Sequence, residues 1–316
     1  MESQVAGLAT FTPELAPSGQ QYVITHGDHR ATIVEVGAAV REYRVADRDV
    51  FQSYAEDEVS WAFHGTVLVP WPNRIADGRY EFDGEQLQLP ITEPERNCAL
   101  HGLGSWVPWS MREHEQDRVT MELRLLPSPG YPFHLHTTVE YVVGPGGLQV
   151  TSTSTNTGSR ACPYGIGFHA YAAAAPGTTI DECFLQLDVR RHFVPDSRLI
   201  PIREDAVDGG PLDFRTPVSL SGRSFDDGFG TVIADANGRS WARLAGADGR
   251  TVAIWAGPEF GYWQAYSGDY LPAARARRAV ALEPMTAAPN AFVNGAGLIR
   301  LEPGQSVTTV WGATLL

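Results

Sequence analysis

The chain contains no lysine, and its 24 basic residues are all arginines. Lysine supplies the amine of Schiff-base and pyridoxal-phosphate enzymes and the phosphate-binding side chain of the P-loop, so those chemistries are excluded. Cysteine is scarce too. Cys98, Cys162 and Cys183 are odd in number and scattered, with no CxxC pair. That pattern fits reduced thiols buried as small hydrophobes rather than a disulfide framework. No stretch approaches the ~18 apolar residues of a membrane-crossing helix. The first twenty or so residues lack the basic and apolar regions of a secretory signal. Positive charge is in deficit, with a net charge of −13, so no field exists to hold nucleic acid or anionic lipid. These absences predict a soluble, cytoplasmic protein that is a monomer or homodimer and binds neither nucleic acid nor membrane.

Hydrophobic residues at 43% and charged residues at 19% are the proportions of a globular chain, and 316 residues can bury a sizeable core. Period-2 alternation dominates. Tyr22-Val23-Ile24 leads through Gly27-Asp28 into Ala31 to Val36. Tyr80 to Phe82 and Leu87 to Leu89 flank Asp83-Gly84, and Arg243-Leu244 and Thr251 to Trp255 flank Asp248-Gly249. Leu298 to Leu301 and Val307 to Trp311 flank Pro303-Gly304 in the same way. Apolar runs around such turns are hairpin signals. Val119 to Leu125, Phe133 to Tyr141 and Leu148 to Thr155 read as a meander with Gly/Pro turns between them. Helical signal is confined to the short stretches Pro211 to Ser221 and Tyr270 to Arg278, neither with a sustained 3.6-residue stripe. The pattern predicts an all-β fold: one domain over residues 1–316, residues 1–19 a loosely ordered leading segment, and function on loops or a concave sheet face.

Four segments carry candidate chemistry. In Trp71-Pro72-Asn73-Arg74-Ile75, a guanidinium follows a Pro-bounded strand end and can donate to sugar hydroxyls or a ring oxygen; alone, it also reads as a surface arginine closing a turn. In Leu100-His101-Gly102-Leu103-Gly104, a histidine beside glycines is open to a ligand, with Trp106 near enough to stack on a sugar face; a plain turn histidine fits equally. In Gly165 to Tyr171, His169 is the one histidine of an apolar run, either a satisfied core imidazole or one with a shifted pKa. In Val280 to Thr286, Glu283 is the one charge in a strand-like apolar run. Carboxylates are almost never buried unpaired, so Glu283 is the leading candidate for a general base, against a structural Glu–Arg pair. His134 and His136 share a strand face but have no third ligand in view. Glu56, Glu58, Glu93 and Glu95 read as solvated loop charges. No metal or cofactor is expected.

Taken in chain order, these segments resemble the aldose 1-epimerase (galactose mutarotase) family. Asn73-Arg74-Ile75 resembles its N-R-I, Leu100-His101-Gly102 its L-H-G, and Gly167 to Tyr171 its G-x-H-x-Y. Phe225-Asp226-Asp227-Gly228-Phe229 resembles the segment with a sugar-binding Asp, and Leu282-Glu283-Pro284 the segment with the catalytic Glu. The resemblance implies a β-supersandwich of large twisted sheets with few short helices, a site in an open cleft, a free sugar as substrate and no cofactor. It also implies roles: Glu283 as general base at O1, His169 as general acid at O5, His101 and Arg74 near O5, and Asp226, Asn73 and Tyr171 binding the sugar, with Asp227 as the alternative to Asp226. The segment after Glu283 departs from the family's E-T-Q pattern, and His169-Ala170-Tyr171-Ala172 departs from H-x-Y-F-N. With Trp71-Pro72, these departures resemble bacterial epimerase-like branches that include sulfoquinovose mutarotases. Other readings are a glycoside hydrolase pairing Glu283 with Asp226 and a non-catalytic carbohydrate-binding protein.

Overall fold

The computed structural model describes residues 16–316; the first fifteen residues of the expected loose leading segment lie outside the described residues. Residues 16–19 form a turn in which Gly19 N–H donates to Ala16, and the Ser18 carbonyl accepts from Val36.

Two antiparallel sheets carry the fold. The first has 12 strands, and its main path runs Gln21–His26, His29–Val34, Val40–Val45, Arg48–Phe51, Tyr171–Ala173, Ala279–Met285, Tyr262–Tyr266, Asp226–Val232, Val189–Pro195, Pro201–Ala206. The short strand Gly167–Phe168 bridges Ala279–Met285 and Val67–Leu68 beside this path. The second sheet has 9 strands and is built around Arg118–Leu125, Leu135–Gly144, Gly147–Asn156, Ser306–Leu315 and Thr251–Ala256. Leu135–Gly144 alternates buried and half-buried residues along its whole length, as a strand with one face on the core must.

The inner faces of the two sheets meet in one core. Trp311 of the second sheet packs on Phe51 and Phe168 of the first. The Tyr43 hydroxyl accepts from Leu148 N–H at 3.0 Å and donates to the Ala313 carbonyl at 3.3 Å. Trp263 Nε1 donates to Ser240 Oγ at 3.1 Å. Each of these polar contacts lets a large aromatic be buried without leaving its polar end unpaired.

The hairpins around Gly27-Asp28, Asp83-Gly84 and Asp248-Gly249 form as expected. Pro303-Gly304 does not join a hairpin, which corrects the sequence reading. Ser306–Leu315 is bonded on both edges, to Gly147–Asn156 and Thr251–Ala256. Ile299–Leu301 pairs with Cys162–Tyr164 instead. Among the described residues the one α-helix is the single turn Ala291–Asn294, and no helix is long and apolar enough to cross a membrane. All three cysteines are buried and free.

Candidate active site

Ala279–Met285 is buried at every position, because it lies in mid-sheet with both faces covered. That is why the charge in its middle, Glu283, is 2% exposed. The strand on one side of it is broken. Gly167 pairs with Met285 and Tyr171 with Ala281, so counting inward from both ends sets His169 opposite Glu283, in the gap between the two short strands. On the other side Gln264 pairs directly with Glu283. One row across the sheet is thus His169, Glu283, Gln264, and Asp226 lies one strand further, its Oδ1 accepting from Gln264 Nε2 at 2.6 Å.

The opposite wall comes from the two-stranded ribbon Arg74–Ala76 with Cys98–Leu100. Its ends, Asn73 and His101, both have left-handed backbones and hold each other. His101 N–H donates to the Asn73 carbonyl at 2.9 Å, and Asn73 N–H donates to His101 Nδ1 at 3.1 Å. A backbone N–H can only donate, so Nδ1 of His101 is bare and its proton sits on Nε2. Gly102 follows with φ +75°, and a Cβ there would stand 2.2 Å from the Val69 carbonyl oxygen. Only glycine allows this close approach.

Together the two walls enclose a cleft of about 210 Å³. Asn73, Arg74, His101, His169, Tyr171, Asp226 and Glu283 all line it, so the structure brings the sequence-predicted residues to one place. Asp227, the alternative to Asp226, is absent from this lining and borders a smaller hollow beside Phe193.

Glu283 Oε1 lies 3.2 Å from His169 Nε2. Burial pushes the Glu283 carboxyl well above its ordinary value, and the Asp226 charge adds to this while Arg74 opposes it. Burial, assisted by His64, takes His169 down to about 3. Desolvation therefore favours the neutral form of each partner. His101 is driven well below its usual value by burial, then by His169 and Arg74; it stays a neutral donor through Nε2. Burial works against charge on Arg74, but the hydrogen bonds it donates to Glu93 and the nearby negative charges outweigh this, and the guanidinium is held charged. Burial raises Asp226, with Arg74 and Gln264 pulling the other way. The Tyr171 hydroxyl donates to the Ala62 carbonyl at 3.4 Å, and its ring stacks on His169 at 5.0 Å.

Glu93 corrects the sequence reading of a solvated charge. It is 5% exposed, accepts two bonds from Arg74 at 2.8 and 2.9 Å, and accepts a third from Arg96. The fork fixes the plane of Arg74 beneath the cleft. Nothing in Thr92-Glu93-Pro94-Glu95-Arg96 distinguishes this carboxylate from its solvated neighbour Glu95. Gln264 was findable: like Glu283, it is the one polar residue of an apolar strand, Tyr262–Tyr266. Its Oε1 is buried without a partner. Ala62, Phe63, Arg96, Tyr266 and Tyr270 also line the cleft without a sequence signal, together with Leu100.

His101, His169 and Glu283 bring three potential ligand atoms within 4.8 Å. The tautomer that Asn73 imposes puts hydrogen on His101 Nε2, so this group is a donor toward the cleft rather than a lone pair. Two ligands remain, fewer than a protein-held metal site requires.

A neutral donor, a buried carboxyl and an imidazole thus meet in a polar cleft of an antiparallel supersandwich. The chain belongs to the aldose 1-epimerase family, whose sequence model matches residues 20–312, and sugar anomer interconversion is the activity of that family. It is 35% identical over 289 residues to the uncharacterized protein YihR of Escherichia coli K12, covering 91% of each chain. It is 29% identical over 207 residues to the galactose mutarotase of Homo sapiens, covering 60% of this chain and 59% of that protein. In fold it resembles the GalM/aldose epimerase homologue from C. elegans (TM-score 0.84, 19% identity, 94% and 98% of the two chains). It likewise resembles a galactose mutarotase-like protein from Clostridium acetobutylicum (TM-score 0.81, 19% identity, 93% and 94%).

Proposed function

We propose that this chain interconverts the α and β anomers of a free aldose, with Glu283 and His169 as the proton-transfer pair. The observation that carries the reading is their 3.2 Å separation in the floor of the cleft. O1 and O5 of a cyclic aldose are bonded to the same carbon, so the base at one and the acid at the other must stand side by side.

In the ring-opening step the Glu283 carboxylate takes the proton from O1–H. The electron pair forms the C1=O1 double bond, the C1–O5 bond breaks, and O5 takes a proton from the His169 imidazolium. Rotation about C1–C2 presents the other face of the aldehyde, and closure returns both protons. Acid–base catalysis of this kind contributes ~10²–10⁴-fold per group. The carboxylic acid and neutral imidazole left after ring opening are the forms that burial favours. Of the ionic pair that begins the step, the carboxylate is favoured by the nearby Arg74 guanidinium, which opposes the rise at Glu283. His101 Nε2–H and Arg74 donate toward O5, while Asp226, Asn73 and Tyr171 take the remaining hydroxyls and the ring face.

The mutarotase reading is preferred to a hydrolase pairing Glu283 with Asp226 because it uses the imidazole that lies 3.2 Å from Glu283, for which paired-carboxyl hydrolysis has no role. Polarimetry of a freshly dissolved α-anomer, run over a panel of neutral and acidic aldoses, tests the proposal. Accelerated approach to the equilibrium rotation is expected for at least one aldose. Release of reducing ends from a glycoside without such acceleration would replace the mutarotase with a hydrolase, and binding without either would leave a carbohydrate-binding protein.

A further inference from the structure

The floor of the cleft has a second row of side chains. Tyr171 pairs with Ala281, Ala281 with Tyr266, and Tyr266 with Asp226. Ala281 lies two residues before Glu283 on its strand, and Tyr266 two residues after Gln264. Both therefore point to the same face as the first row. The rows are one pleat repeat apart, roughly 7 Å. A sugar with C1 over Glu283 and His169 lays its far edge over the second row, where Ala281 contributes only a methyl group between two tyrosines.

The two tyrosines differ in where their hydroxyl protons go. The Tyr171 hydroxyl donates to the Ala62 carbonyl. The Tyr266 hydroxyl is held from its acceptor side by Tyr270 N–H at 3.0 Å, and no described residue accepts its proton. Burial pushes its pKa up to about 12, with the Tyr270 bond opposing and the Asp226 and Asp269 charges adding, so at neutral pH it keeps that proton. Asp226 beside it has one oxygen engaged. Its Oδ1 accepts from Gln264 Nε2, which leaves Oδ2 to accept from a ligand. Both side chains line the cleft. As directly opposed residues of an antiparallel pair, they have Cβ atoms about 4.5–5.5 Å apart. The ladder is pinned just beyond them. Ser267 N–H donates to the Phe225 carbonyl, and Phe225 N–H donates to Ser267 Oγ, both at 2.9 Å. A free donor and a free acceptor are thus fixed side by side.

Neighbouring ring hydroxyls of an aldose complement such a pair, since each can donate and accept. We propose that Tyr266 is a specificity-determining residue: its O–H donates to one ring hydroxyl of the aldose while the adjacent hydroxyl donates to Asp226. This inference rests on the mutarotase reading above and adds to it a requirement for two adjacent free hydroxyls on the edge remote from C1.

The probes are the aldose with the highest kcat/KM in the polarimetry panel and its monodeoxy derivatives, each lacking one hydroxyl other than that on C1. Mutarotation of each is followed with the wild-type protein, Tyr266→Phe and Asp226→Asn. Tyr266→Phe keeps the ring and leaves Tyr270 N–H, on an exposed residue, to bond with water. It should lower kcat/KM for the parent sugar by about three- to ten-fold, through KM, as loss of one hydrogen bond does. One deoxy derivative should escape this loss, because the hydroxyl that Tyr266 binds is already gone. Asp226→Asn should spare a different derivative, the one lacking the adjacent hydroxyl. An equal loss for every sugar is what a merely structural role gives, and it overturns the proposal. So does the absence of any loss, or a pair of spared derivatives whose missing hydroxyls are not neighbours. Absence of acceleration for every aldose in the panel would instead defeat the mutarotase reading itself.

Discussion

The two large sheets divide the work of the molecule. In the 9-stranded sheet three central strands run ten residues each, and Leu135–Gly144 alternates without interruption. Their polar residues pair across strands: Thr137 with Ser154, Ser152 with Thr309, Thr153 with Thr308, Thr155 with Ser306. The 12-stranded sheet is broken where it matters chemically, at the gap between Gly167–Phe168 and Tyr171–Ala173. Around that gap polar atoms are buried without partners: Nδ1 of His169, Oε2 of Glu283, Oε1 of Gln264 and both ring nitrogens of His64. Each such group costs roughly 1–3 kcal/mol. In the 9-stranded sheet Arg118 Nε and Trp311 Nε1 are buried without a hydrogen bond, but such atoms gather around the gap of the other sheet, as expected when a functional site is built into one face of a stable frame.

If this division holds, substitutions in the two sheets should fail in different ways. Glu283→Gln keeps the shape of the side chain and removes its basicity. Polarimetry should show the rate reduced by about 10²–10⁴-fold, with sugar affinity by calorimetry largely kept. Urea unfolding at pH 7 should show no loss of stability, because a buried carboxyl held far above its ordinary value is replaced by a neutral amide. Retained turnover would remove Glu283 from its role. Met121→Ala makes the opposite change. Met121 is fully buried in Arg118–Leu125, opposite Val139, and truncation should cost about 2–5 kcal/mol. Activity per folded molecule should be unaltered, and a matched loss of rate would show that the frame and the site are coupled.

The sequence made the frame more legible than the site. Alternation and Asp-Gly turns report on one strand and its neighbour, and these recovered the hairpins. Strand pairing over longer range leaves no such local mark: Ile299–Leu301 reads as a hairpin partner of Val307 to Trp311, yet it pairs with Cys162–Tyr164. Glu283 stood out because burial of a lone charge in an apolar strand is visible from composition, and Gln264 carried the same signal unread. His169 was visible as a residue but not as the partner of Glu283. Their meeting follows from a ladder that skips two residues, which no local pattern records. Glu93 was hidden for a different reason. Its loop has the composition of solvated surface, and its burial comes from Arg74 and Arg96 reaching it from a separate ribbon and from its own turn.

His64 offers the finest test of the comparison, because it violates the burial rule without lying in the cleft lining. Its ring is fully buried and lies parallel to Tyr171, 5.0 Å away and within 2°. Burial holds its pKa down to about 3, against about 6.5 for an unfolded histidine. As pH falls from 6.5 toward 3, the unfolded chain takes up a proton that the native state refuses, so stability is present above pH 6.5 and drains away on the acid side. Each such imidazole contributes a slope of ~1.4 kcal/mol per pH unit. His169, also held near 3, adds its own share. His64→Phe keeps the stacked ring and discards the nitrogens. At pH 7 the variant should be as stable as the parent, or more so by about 1–2 kcal/mol. Between pH 7 and pH 5 it should lose about 2 kcal/mol less than the parent, measured by urea unfolding at both values. An unchanged acid slope would mean that His64 titrates normally in the folded protein, and the burden of unpaired polar groups would then belong to the cleft residues alone.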